Sequence, residues 1–124
     1  MKKFRRFLQS ITFANRGLAK AWTEELNFRW EIIAAIFVIA LGLFLRVPAS
    51  HLALIILTCS VVLALELVNT MIESVSDMLK PRLDQYVKQI KDLSAAAVAI
   101  AALGSIGVAA CLLVPPLLSL LWLY

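Results

Sequence analysis

Glu66, Asn69, Glu73 and Asp77 are polar residues in one otherwise apolar stretch, HLALIILTCSVVLALELVNTMIESVSDML, residues 51–79. On a helix turning about 100° per residue, Asn69, Glu73 and Asp77 fall roughly −60°, −20° and +20° from Glu66. The four therefore share one stripe among Val, Leu, Ala, Met and Ile. Ionisable groups in a membrane span are costly and functional by default. Such a stripe must face a protein interior, a water-filled cleft or a bound ion. Carboxylates on successive turns suit two kinds of chemistry. One is holding a hard divalent cation; magnesium takes one or two carboxylates and completes its shell with water and substrate phosphates. The other is general base work, in which a positioned glutamate accepts a hydroxyl proton. An amide such as Asn69 can hydrogen-bond and orient either partner. A polar stripe can also glue subunits together, but carboxylates are a costly choice for that.

More charge converges at the same level. Glu24, Glu25 and Glu31 flank the start of the first apolar stretch, and Lys91-Asp92 opens the third. Lys91 can neutralise a phosphate, and Asp92 can orient Lys91 or a metal-bound water. Taken alone, Lys91 reads as a membrane-interface anchor. Beside Glu25, Glu73 and Asp77 it suggests a magnesium–nucleotide site, where metal and Lys or Arg neutralise phosphoryl charge.

These groups need elements to position them, and composition says which. The chain has 124 residues, 62% hydrophobic, with 12 Lys+Arg against 8 Asp+Glu and a mean hydropathy of +0.90. Soluble domains run about 45–50% apolar, so a soluble globular fold is excluded. Little chain remains outside the apolar stretches, so the chemistry must come from membrane helices and their flanks. Cys59 and Cys111 sit in apolar runs and read as small buried hydrophobes. There is no CxxC, HExxH or Walker loop.

Residues 1–29 are basic and amphipathic. Phe4, Phe7, Leu8, Ile11, Leu18, Ala21 and Trp22 recur at helical spacing among Lys2, Lys3, Arg5, Arg6, Arg16 and Lys20, which suits a helix lying in the membrane interface. No small-residue cleavage site precedes the first apolar run, so a signal peptide is not expected. Three membrane helices follow, over residues 30–46, 51–79 and 93–114. Val47-Pro48-Ala49-Ser50 makes a turn in which Pro48 stops the first. Lys80-Pro81 ends the second, and Pro115-Pro116 interrupts the third before a tail with Trp122 and Tyr124. Seven Lys/Arg lie in residues 1–30, one in the first loop and four in the loop 80–92. The positive-inside rule then makes the N-terminus and second loop cytoplasmic and the C-terminus external. The third helix is rich in Ala, Gly and Ser from Ala95 to Gly107, which lets helices approach closely within the chain or between subunits. Three helices seldom enclose a polar site alone, so a homo-oligomer fits.

Glu66-Leu67-Val68-Asn69-Thr70-Met71-Ile72-Glu73, then Asp77, then Lys91-Asp92 ahead of an alanine-rich helix, closely resembles the signature of the prokaryotic diacylglycerol kinase family, which includes undecaprenol kinases. Gly17-Leu18-Ala19-Lys20-Ala21-Trp22 through Glu25, and Asn27-Phe28-Arg29-Trp30-Glu31, are similar to the family's N-terminal region. The resemblance covers roughly residues 4 to 114 and is specific in its E-x-x-N-S/T-x-x-E pattern. It implies an all-α membrane protein of three transmembrane helices plus an N-terminal surface helix, a homotrimer with active sites shared between neighbours. It implies ATP-dependent phosphorylation of a lipid alcohol at the cytoplasmic interface of a bacterial inner membrane. In that resemblance Glu66 matches the general base, and Glu25 and Glu73 match the carboxylates that hold magnesium. Arg6, Phe13, Glu25, Asn69, Glu73, Asp77, Arg82, Lys91 and Asp92 match positions in or near the nucleotide site. Arg6, Trp22, Glu31, Glu66 and Ala95 fall toward the lipid.

Some positions depart from the family. Its second loop often carries a Glu-Tyr-His run where this chain has Arg82-Leu83-Asp84; Arg82 or Lys88 would have to substitute for the histidine beside a phosphate. Phe13 stands where an aromatic hydroxyl is sometimes found, and Ala95 where some members carry serine. Asn27-Phe28-Arg29 and the alanine-rich third helix look somewhat more like the undecaprenol-type branch. The alternatives from other classes are a small channel or transporter lined by Glu66 and Glu73, and a structural membrane protein. A pore needs polarity across the whole membrane, and the outer half of the second helix offers only Thr58, Cys59 and Ser60.

Overall fold

The computed structural model describes residues 2–79 and 84–122. The chain forms four helices: α1 (Lys2–Glu24), α2 (Leu26–Phe44), α3 (Ala49–Leu79) and α4 (Asp84–Leu121). Three of them hold stretches long and apolar enough to cross a membrane, namely Leu26–Phe44, Ala49–Met78 and Gln85–Leu120. Hydrocarbon offers no hydrogen-bond partners, so a backbone that crosses it satisfies itself in this way. With 31 residues, α3 measures about 46 Å and outlasts a hydrocarbon core of about 30 Å. Its polar C-terminal turns therefore have room to leave the apolar zone.

Helix α3 is the centre of the bundle. It packs chiefly against α4 and next against α2, while α1 packs on α2. The buried apolar core is small: Ala21, Phe28, Ile55, Val62, Val87 and Leu113. The chain exposes 9565 Å², against about 6,600 Å² for a soluble monomer of its mass. Much of the excess is large apolar side chains such as Phe37, Phe44, Ile100 and Leu103. That surface is made for lipid or for another chain.

The breaks between helices are specific. Glu25 is extended (φ −105°, ψ 113°) and serves as N-cap of α2, so α1 ends at Glu24 and α2 starts ahead of residue 30. Helix α4 likewise starts ahead of residue 93, because its charged first turns continue the helix past the apolar stretch. At the far end of α2, Arg46 N–H donates to Leu43 O and Val47 N–H to Gly42 O, both at 3.1 Å. Arg46 has φ 52°, which completes a Schellman cap. Gly42 is buried beneath it, where a Cβ would stand 3.4 Å from Leu52 Cδ1 and 3.5 Å from Val47 Cγ2. The stop is thus made before Pro48. Pro48 instead opens α3, its carbonyl accepting from Leu52 N–H at 3.1 Å.

Pro115 and Pro116 lie inside α4, which continues to Leu121. The expected interruption does not occur. Each proline removes one backbone donor, and membrane helices tolerate this where neighbouring groups re-satisfy the backbone. The two donors lost are those that would serve the carbonyls of Cys111 and Leu112, one turn back. The expected stop at Lys80-Pro81, the nucleotide residue Arg82 and the aromatic Tyr124 lie outside the described residues.

A left-handed conformation costs a residue with a Cβ about 1–2 kcal/mol. Arg46→Gly is therefore expected to raise stability by about 1 kcal/mol, seen as a higher unfolding midpoint in detergent micelles. An unchanged or lower midpoint would show that the Arg46 side chain itself holds the turn.

Candidate active site

The polar stripe of α3 runs from the interior to the surface. Glu66 is 3% exposed and Asn69 is buried. Glu73 is half-buried, and the Asp77 side chain is 60% exposed. The stripe meets the N-terminal ends of both neighbouring helices. From α2, Glu25 lies within Coulombic reach of Glu66, as does Glu73 from α3 itself, and the Asn27 side chain lies beside the Glu66 carboxylate. Glu31, one turn further along α2, is also within Coulombic reach of Glu66. Glu25 caps α2 by its backbone position alone and makes no side-chain cap bond, so its carboxylate is not spent on the helix end.

Helix α4 supplies the other wall. Ser94 Oγ donates to Asn69 Oδ1 at 2.6 Å, and Asn69 Nδ2 points to Glu73 Oε1 at 3.5 Å. Two turns beyond Asn69, Lys91 Nζ reaches Asp77 Oδ1 at 3.3 Å. Buried polar atoms normally find partners. Yet Arg29 Nε, Glu31 Oε2 and Thr70 Oγ1 are buried here with none among the described residues. This end of the bundle keeps spare polar capacity. Glu31 also lines a cavity of about 180 Å³ whose other walls include Ala34, Val38, Ile55, Cys59, Val62 and Ala102. One charged group thus stands beside an apolar slot between α2, α3 and α4.

The structure gathers Glu25, Glu31, Glu66, Asn69, Glu73, Asp77 and Lys91 at one end of the bundle. It leaves Arg6, Phe13 and Trp22 exposed on α1, and Asp92 and Ala95 exposed on α4. Among the described residues, no three His, Cys, Asp or Glu side chains stand close enough to hold a metal ion by themselves. Two carboxylates suffice for magnesium when phosphates and water complete the shell, so the donor set fits a metal that arrives with a nucleotide. Sequence reasoning had given no site role to Asn27 or Ser94. Ser94 follows Lys91 by three residues and so shares its helix face, which was the available signal.

The model of the prokaryotic diacylglycerol kinase family matches residues 12–113. The chain belongs to the prokaryotic diacylglycerol kinase family. A diacylglycerol kinase of Synechocystis is 37% identical over 92% of this chain and 66% of its own length, so the match spans about two thirds of that protein. A diacylglycerol kinase of Helicobacter pylori is 33% identical over 77% of this chain and 75% of its own. An undecaprenol kinase of Bacillus subtilis is 30% identical over 77% of each. The enzyme is a lipid kinase and a multi-pass membrane protein.

The Lys91–Asp77 pair lies at the exposed edge of the site, where ion pairs contribute about 0–1 kcal/mol. Asp77→Asn should therefore shift the unfolding midpoint in micelles by less than about 1 kcal/mol. A larger loss would mean that the pair holds α3 to α4.

Proposed function

We propose that the enzyme transfers the γ-phosphoryl group of ATP, with magnesium, to the hydroxyl of a membrane lipid alcohol, diacylglycerol or undecaprenol. The observation that carries this reading is Glu66, a carboxylate 3% exposed inside a ring of further carboxylates. The more similar relatives reported above carry the name diacylglycerol kinase. That weighs against the undecaprenol lean of the sequence, and diacylglycerol is the first lipid to offer.

Phosphoryl transfer asks little covalent work of a protein; it asks for in-line positioning and charge neutralisation. Glu66 takes the proton of the lipid hydroxyl as that oxygen bonds to the γ-phosphorus. The bond from the γ-phosphorus to the bridging oxygen breaks, and ADP leaves with the electron pair. Glu25 and Glu73 would hold magnesium, which neutralises phosphate charge when bound. Lys91 adds a second positive charge, and Asn69 and Asp77 hold their neighbours in place. Arg6, Phe13, Arg82 and Asp92 complete the nucleotide site in this reading, while Trp22, Glu31 and Ala95 face the lipid.

The site sits at the cytoplasmic interface, the level at which a lipid hydroxyl and soluble ATP can meet. The weight of Lys and Arg at this end supports that orientation in an inner membrane. Helix α1 lies in the headgroup layer with Phe4, Phe7, Leu8 and Ile11 toward the lipid. Each chain is a single membrane kinase domain, and three copies form the working unit. Support comes from Gly104 and Gly107, where an added Cβ would meet nothing within 4 Å. Their small face is unused by the chain's own helices and is free for another copy. A pore is disfavoured, because Thr58 and Ser60 donate to backbone carbonyls of α3 itself, at 3.0 and 2.8 Å.

Glu66→Gln keeps shape and removes the proton acceptor. Turnover in mixed micelles with labelled ATP should fall at least about 100-fold, while assembly and magnesium–ATP binding persist. Retained turnover would sink the base assignment, and a structural reading would then lead. Glu73→Gln should instead raise the magnesium needed for half-maximal rate by about tenfold; an unchanged requirement would remove Glu73 from the metal site.

A further inference from the structure

Ser94 lies at the α3–α4 seam, buried in a run of exposed alanines. Its hydroxyl has two acceptors in reach, Asn69 Oδ1 at 2.6 Å and Lys91 O at 3.0 Å. One proton cannot serve both fully, and the shorter bond crosses to α3. The chemistry of Asn69 explains why. An amide has one donor end and one acceptor end. A carboxylate accepts only, so Glu73 requires Asn69 Nδ2 on its side. That turns Oδ1 toward α4, where a donor must meet it. With alanine at position 94, Oδ1 would be buried without a partner and the amide would be free to turn.

We infer that Ser94 is a positioning residue for the metal-binding carboxylate, acting through Asn69 to hold one oxygen of Glu73 and leave the other for the cation. This rests on the reading that Glu73 holds magnesium. Groups that orient metal ligands from behind typically change metal affinity by about 10–100-fold when removed. Lys91, three residues before Ser94 on the same helix face, also reaches α3 at Asp77, so this face of α4 is the one turned toward Asn69. Threonine can replace serine here. On a helix its Oγ1 already favours a rotamer that reaches the carbonyl three or four residues back, and Ser94 Oγ stands 3.0 Å from such a carbonyl.

The test compares Ser94→Ala, Ser94→Thr, Glu73→Gln and the unaltered enzyme, each purified in micelles with a non-hydrolysable ATP analogue. Manganese, which shares magnesium's preference for oxygen ligands, is titrated and followed by electron paramagnetic resonance. Ser94→Ala should weaken manganese binding about tenfold, and Ser94→Thr should stay within about twofold of the unaltered enzyme. In the steady state, Ser94→Ala should raise KM for magnesium–ATP with kcat nearly kept, a split that loss of packing alone would not give. Unchanged manganese affinity in Ser94→Ala, beside a clear loss in Glu73→Gln, would overturn the role of Ser94 and leave the metal pair standing. Equal losses in Ser94→Ala and Ser94→Thr would overturn it too, since the hydroxyl would not be the agent. No loss in Glu73→Gln would overturn the metal reading and the inference with it.

Discussion

A carboxylate among hydrocarbon-facing helices is tolerated only where water, an ion or a counter-charge reaches it. Glu66 sets this constraint, being 3% exposed directly after the apolar run Val61-Val62-Leu63-Ala64-Leu65. Everything else at this end of the bundle answers to it. The Asn27 side chain lies beside its carboxylate. Glu25, Glu31 and Glu73 lie within Coulombic reach of it, so acidic groups outnumber the one cation, Lys91, that the described contacts bring to this end. Such a cluster is favourable only beside positive charge from outside it. Under the proposed function, a divalent cation carrying polyphosphate would supply that charge.

The helix breaks determine where that charge sits. The extended Glu25 ends α1 and opens α2, and its side chain is left without a capping duty. Had the helix run on unbroken, Glu25 would have followed the α1 axis away from α3. At the opposite end the Schellman turn at Arg46 closes the α2–α3 connection in four residues. The two helices are thereby registered at one end and free to diverge at the other. The long α4 then runs along α3 and ties the polar stripe from its second side through Ser94 and Lys91. Chemistry placed at the open end of a bundle pinned at its closed end has both rigidity and access.

The sequence made the elements legible because hydropathy and charge act over whole turns. Three apolar stretches in so short a chain leave no other architecture. Periodicity alone put Glu66, Asn69, Glu73 and Asp77 on one face, and the structure gathers them as that geometry requires. What stayed illegible were single-residue decisions. Pro48 reads as a helix stop, yet Arg46 makes the stop two residues earlier in a conformation that no pattern announces. Pro115-Pro116 reads as a break, yet α4 continues through both. Ser94 and Asn27 were passed over because a lone small polar residue in an apolar helix has many uses. Only the facing helix shows which one applies.

The residues the structure leaves exposed form a pattern of their own. Arg6 and Phe13 on α1, and Asp92 and Ala95 on α4, project from faces that the chain's own helices do not cover. Arg29 Nε, Glu31 Oε2 and Thr70 Oγ1 are buried in the gathered half of the site without partners among the described residues. In the proposed reading a single copy gathers the base and metal candidates with Asn69, Asp77 and Lys91, while Arg6, Phe13 and Asp92 stand apart from them. Both sets would be accounted for at once if the exposed residues of one copy completed the cluster of the next. The unfilled faces at Gly104 and Gly107 then supply the contact that brings the copies together. In the proposed trimer, sharing the site in this way would couple assembly to activity. A lone subunit dispersed in the bilayer would carry the charged cluster without the residues that make it useful.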